Sequence, residues 1–513
     1  MQTTETASIP PMIAGDAALF RRCTDYMTRW WARHAYIVPS FLLTVLICGW
    51  FCTWGSWRLF EPEEFCQFYD AQAISILDGR LDVPVTAIGT EAFVFRGKTY
   101  GYFGIGPALL RLPLAVAFDG MDGLWSRLMM TIASTTNLVC AYGILWLIRD
   151  DRGPPTRREK VLHSLFVICA GLGSTNIFLV ARSFTFHEAI MWAGTFALLF
   201  TWVTLKYLAR PSGALLGVAG CFAFMSFSSR PTVGAGALLA MCVLLLVLLW
   251  RAAGRRTGAG WLFELQSPSR PLRHATIAAV TAFVTIGVYL GMNYGKFRTF
   301  TAVPLQYYHY YKLMPARMQI TGGKQIHLEN IPTSVATYFG FRGVHLQPSF
   351  PWFDRSRDAT FVGSPAIDMV DGFSTFPVSM PALTLLAVLG GFAVVRGRSE
   401  IERRLRFPVV ALLIGGSIVL ATVALCERYL HDFYPALIVL AAVGICRVGA
   451  GSTAGWKIAG LSVLALISII LNCSFALIHQ RLTAGAPPEK VAEFQRWQRT
   501  IDNGLQSVLG ARD

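Results

Sequence analysis

The chain has 513 residues, 54% of them hydrophobic and only 15% charged, with a formal net charge of +15. That is too apolar for an ordinary water-soluble globule. Repeated stretches of about 18 or more nearly uncharged residues are instead the length that crosses a bilayer as a helix, so the basic excess is read by where it sits and not as a nucleic-acid footprint.

A polar segment, 1–35, carries Arg21, Arg22, Arg29 and Arg33 and is expected on the cytoplasmic side. The first apolar run, 36–57, is longer than a signal-peptide core and has no convincing small-residue cleavage site, so it is expected to stay in the membrane. Further spans are expected at 124–148, 161–181, 188–208, 213–229, 232–250, 275–295, 379–395, 407–426, 435–446 and 458–478. The fold class is therefore an all-α polytopic membrane protein of about 11 transmembrane helices. The segment 106–118, GPALLRLPLAVAF, is too short and too proline-broken to cross and reads as an interfacial piece.

With the N-terminus inside, the connectors 149–160, 251–274 and 396–406 are cytoplasmic and strongly basic. Nearly all of the positive excess falls on that side, as the positive-inside bias requires. The opposite side holds two long loops, 58–123 and 296–378, three short turns around 182–187, 229–231 and 427–434, and a tail, 481–513. Elaborate loops on one face point to work done there. No pair of repeats with broken helices in matching positions is present in the sequence, which weakens a transporter reading. The 11 cysteines follow no metal or disulfide spacing, and most lie in apolar runs where cysteine is a small filler.

In the first long loop, EEFCQFYDAQAISILDG has Ala71, Ile74 and Leu77 at helical spacing and Gly79 as a stop, which predicts a short helix along the membrane surface. Asp70 at its start is either an N-cap or a carboxylate that takes a proton from a hydroxyl substrate. EAFVFRGKTYGYF alternates on either side of Arg96-Gly97-Lys98 and predicts a small hairpin. Thr185-Phe186-His187-Glu188 fits a capping box, yet His187 and Glu188 also place a titratable pair at the membrane edge. Arg230 is either an interfacial arginine reaching water or a phosphate grip. Glu427, Arg428, His431 and Asp432 crowd one turn, where an ion pair and a helix cap are the plain alternatives to function. Tyr307, Tyr308, Tyr310 and Tyr311 offer sugar-stacking or interfacial faces, and Lys296 and Arg298 could meet lipid phosphates.

FYDAQAISILDGRLDVP, EAFVFRGKTYGYFGIGPALLRLP, FHEAIMW and RYLHDFYPALIV together resemble the multispan C-type (GT-C) glycosyltransferases over most of 36–480. The resemblance implies a bacterial inner-membrane enzyme that transfers a sugar from a polyprenyl-phosphate donor to an envelope glycan, lipid or protein acceptor at the extracytoplasmic face, with inversion. It carries the family's first-loop acid onto Asp70 and a second acidic or histidine site onto His187 and Glu188. Arg230 and Arg428 would then meet the developing phosphate charge, with Lys296, Arg298, His431 and Asp432 as further substrate-binding candidates. The first loop has no adjacent Asp-Asp or Asp-Glu pair, only Glu63-Glu64, which leaves the base and the use of a divalent cation open. Membrane lipids are expected partners and nucleic acid is not. The alternative reading is a transporter or flippase of lipid-linked sugars.

Overall fold

The computed structural model describes residues 28, 30–118, 120–149, 153–255, 265–301, 303–450, 455–483 and 485–510. Arg21, Arg22 and Arg29 of the N-terminal segment, and parts of the connectors 149–160 and 251–274, lie outside the described residues.

Among the described residues, eight helices are long and apolar enough to cross a membrane: Trp30–Cys52, Ser126–Arg149, Thr185–Ala209, Pro231–Ala252, Pro271–Phe297, Glu400–Ala421, Glu427–Ala450 and Gly455–Leu482. Three of the 11 expected spans are not among these eight. Gly213–Ser229 and Pro381–Arg396 are apolar but have only 17 and 16 residues, short of the ~20 that cover the hydrocarbon core. The run 161–181 is two helices, Arg157–Gly171 and Thr175–Val180. They part at Ser174, whose hydroxyl accepts from the Asn176 amide and starts the second helix.

The spans differ in what surrounds them. Thr185–Ala209 has 83% of its most apolar stretch buried by neighbours, while Pro271–Phe297 has 22%. Phe283 on the latter is 79% exposed, so a helix greasy on every side is left for lipid to cover. Small residues let other helices touch backbone to backbone. A side chain at Gly390 would strike the Leu440 carbonyl, and one at Gly444 would strike that of Leu386, so Pro381–Arg396 and Tyr434–Ala450 lie against each other.

One end of the bundle carries the long loops. The first loop forms helix α1 (Phe68–Leu77), strands β1 (Phe93–Phe95) and β2 (Lys98–Tyr100), and helix α2 (Gly106–Ala117). The hairpin turns on Arg96 and Gly97, both at positive φ, as a two-residue turn between right-twisted strands demands. The second long loop contributes helix α3 (Ile331–Phe339) and the antiparallel strands β3 (Val344–Leu346) and β4 (Phe353–Arg355). Its strand β5 (Met369–Val370) pairs in parallel with β6 (Ala424–Leu425), just before the polar turn at 427. The segment expected as a tail contains helix α4 (Pro488–Gly510). There Asp502 accepts from the Phe350 amide, and Trp497 stacks on Trp50 of the first span.

Candidate functional site

Asp70 is the third residue of α1 and does not cap it. Its carboxylate reaches across to α2 instead. Arg111, wholly buried, donates from Nε to Asp70 Oδ1 at 2.5 Å and from Nη1 and Nη2 to the two oxygens of Glu188 at 2.5 and 2.9 Å. Nη2 also meets Ser126 Oγ at 3.0 Å, and the Gly123 amide donates to Asp70 Oδ2 at 2.7 Å. Two carboxylates therefore share one guanidinium, and both Asp70 oxygens are occupied. Burial pushes the Asp70 carboxyl up to about 6, against the opposing pull of Arg111.

The capping box at 185–188 does not form, although its spacing is right. Thr185 donates to the Phe65 carbonyl at 2.6 Å, and Glu188 is taken by Arg111. His187 is fully buried, with Nδ1 3.0 Å from the Arg182 carbonyl and its other nitrogen unpartnered among the described residues.

A second centre lies where β5 and β6 bring the long loop against the turn at 427–433. Arg230 meets Asp432 at 2.9 Å, and Thr232 donates to the same carboxylate at 2.9 Å. Arg428 lies 3.7 Å from Asp371, directly after β5. Both guanidiniums cover the Tyr429 ring, at 5.2 and 5.5 Å from its centre, and Arg428 also covers Phe186 at 4.8 Å. Their side chains keep 18% and 19% exposure, so each fork is oriented but still open on one side.

The other residues of that turn serve packing or orientation. Glu427 does not pair with Arg428; it accepts from the Ser374 amide and hydroxyl, at 2.5 and 2.7 Å. Asp432 is not a helix cap but holds Arg230. His431 is buried, stacked on Tyr434 with ring centres 4.4 Å apart, and meets Thr175 Oγ1 at 2.9 Å. Lys296 is buried against the Gly101 carbonyl at 2.9 Å, and Arg298 sits at positive φ at the end of its helix over Tyr294.

The sequence reading passed over two residues in this neighbourhood. Arg111 is one. The other is Glu91, half-buried before β1, whose Oε2 accepts from the Tyr308 hydroxyl at 2.6 Å. Burial raises the Glu91 carboxyl above its ordinary range, while the Tyr308 bond and the fields of Arg428 and Arg317 hold it down. Glu91 and Phe186 line one recess together with Phe103, and Arg428 covers the Phe186 ring. Tyr308 stacks on Phe93 with centres 4.7 Å apart and planes within 6°. Tyr311 is tied to Asp368, and Tyr310 lies under Arg317. Among the described residues no three His, Cys, Asp or Glu side chains converge as metal ligands, and a guanidinium fills the space between Asp70 and Glu188.

No protein-family model matches the chain, and no curated protein does. Among solved structures, the Archaeoglobus fulgidus oligosaccharyltransferase in its apo form aligns with a TM-score of 0.47 at 12% identity, over 90% of this chain and 57% of that one. The archaeal oligosaccharyltransferase AglB from Archaeoglobus fulgidus, in complex with an inhibitory peptide and a dolichol-phosphate, aligns with a TM-score of 0.48 at 12% identity and the same coverage. The chain thus spans a little over half the length of these proteins. The likeness is distant, and the functional case rests on the side chains.

Proposed function

We propose that the chain is a membrane glycosyltransferase that moves a sugar from a polyprenyl-phosphate donor to a hydroxyl-bearing acceptor, at the face that carries the long loops. The observation that supports it is the pair of partly open guanidiniums, Arg230 and Arg428, on one tyrosine ring, with Glu91 lining a recess that includes Phe186, which Arg428 also covers. A phosphate head at the end of the spans finds planar donors there, while its hydrocarbon tail stays between helices.

The acceptor oxygen attacks the anomeric carbon as the bond from that carbon to the phosphate oxygen breaks. The electron pair leaves with the phosphate, and Arg230 and Arg428 stabilise the charge that grows on it. The acceptor proton passes to a carboxylate. Asp70 is buried with each oxygen already accepting a hydrogen bond, so we assign that role to Glu91, with Asp70 and Glu188 holding Arg111 and thereby α1 and α2. Single displacement inverts the anomeric centre.

The test is release of polyprenyl phosphate from a labelled polyprenyl-phosphate sugar by the purified protein in liposomes. Arg428→Ala and Arg230→Ala are each expected to lower the rate about 10²-fold or more, the scale for losing one preorganised donor to a developing oxyanion. Movement of intact donor across the bilayer without cleavage would make the chain a flippase.

A further inference from the structure

We infer that the chain carries a second, preformed site in its long loop that takes a sugar ring of the acceptor. The inference rests on the transfer reaction proposed above. A hollow of about 300 Å³ opens where α3 ends, between Thr337, Phe341 and Arg342 on one wall and Asp358 and Thr360 on the other, with Phe373 as its floor. That is the lower end of the range in which proteins bind small molecules.

Two features of the lining suit a ligand. Phe341 is 81% exposed, a full aromatic face turned to solvent at the rim. Arg342 and Asp358 stand at the mouth with opposite charges, and neither has an ion-pair partner among the described residues.

A ring face, a carboxylate, a guanidinium and the exposed Thr360 hydroxyl match a pyranose. Its C–H face lies on an aromatic ring, and its neighbouring hydroxyls both donate and accept. A lipid acceptor would instead need a continuous apolar groove. The floor is tied to the segment that carries Asp358 and Thr360, because the Phe373 amide donates to the Ser356 carbonyl at 2.9 Å. The floor is also joined to the cationic centre. Asp371, two residues before Phe373, meets Arg428, and Ser374, directly after it, holds Glu427. A sugar seated in the hollow is thereby held on the same short segment that positions the phosphate grip.

Saturation-transfer NMR on the full chain in nanodiscs tests this with a panel of soluble gluco-, manno- and galacto-oligosaccharides as probes. Phe341→Ala and Asp358→Asn alter exposed side chains and should leave the fold unchanged. Binding of at least one glycan by the wild type, weakened about tenfold or more in each variant, is the expected result. Equal binding by wild type and variants, or binding of acceptor peptides but no glycan, would overturn the site. Displacement of the glycan by polyprenyl-phosphate sugar would overturn it too, because the occupant would then be the donor's own sugar. Donor cleavage without glycan binding would remove this site and leave the transferase reading standing. Variant-sensitive glycan binding with no donor cleavage would do the reverse.

Discussion

Replacing Arg111 with methionine removes the one cation between two buried carboxylates while keeping most of the side-chain volume. In the native protein Arg111 has no exposure and makes three charge-assisted contacts at 2.5, 2.5 and 2.9 Å. Removing one partner of a buried ionic group costs about 3–5 kcal/mol, because the remaining charges are left uncompensated. Here two carboxylates are left, and Glu188 then raises the Asp70 carboxyl with no cation to oppose it. The Asp70 carboxyl already stands near 6, from an ordinary value of 3.8, and Arg111 is what holds it from rising further. A group raised in the folded state binds its proton more tightly there than in the unfolded chain, so stability falls as pH rises from the unfolded value towards the folded one. Without Arg111 the folded value climbs and that window extends upward. Arg111→Met is therefore expected to lose about 3–5 kcal/mol at pH 8 and distinctly less at pH 5, with Asp70→Asn added to the variant restoring part of the loss at pH 8. Reversible unfolding in mixed micelles, followed by tryptophan fluorescence at both pH values, measures it. A loss below about 0.5 kcal/mol, or one that does not change with pH, would refute the shared-guanidinium account.

Tyr308→Phe removes a hydrogen bond that favours ionised Glu91, so the Glu91 pKa should rise and the acid limb of the kcat/KM–pH profile should move to higher pH; an unmoved limb would separate Glu91 from proton transfer. Gly390→Val forces a side chain into the Leu440 carbonyl and should destabilise the bundle by about 1–3 kcal/mol or more, where Gly391→Val, with open space at its Cβ, should cost much less; similar losses at both positions would count against the close helix pair.

Hydropathy carried the membrane-spanning class and most spans because it sums over many residues. It failed where a few atoms decide. Nothing in average apolarity marks the break at Ser174, which one hydroxyl makes. The hairpin at 93–100 was legible because its alternation and its Arg-Gly turn are local. The site was legible only in part. Asp70, Glu188, Arg230 and Arg428 stood out as charges at the ends of apolar runs, but their partners are remote in sequence. Arg111 is 41 residues from Asp70 and 77 from Glu188, and it sits in a segment that reads as greasy and proline-broken. Glu91 lies 217 residues from Tyr308, so no spacing rule connects them. Thr185 and Glu188 have capping-box spacing, and tertiary partners outcompeted the cap at both ends. The same holds for Glu427 and Arg428, neighbours in the chain whose charges go to Ser374 and Asp371.

The central claim is that Glu91 accepts the acceptor's proton while Arg230 and Arg428 hold the donor phosphate. The direct measurement is sugar transfer from labelled polyprenyl-phosphate donors to envelope acceptors by the purified protein in liposomes, comparing wild type, Glu91→Gln and Asp70→Asn. The account predicts that Glu91→Gln loses about 10²–10⁴-fold in rate with donor binding intact, the range for a positioned base, while Asp70→Asn retains turnover in proportion to the folded protein that remains. Full transfer by Glu91→Gln alongside a folded but inactive Asp70→Asn would contradict it and return the base to Asp70.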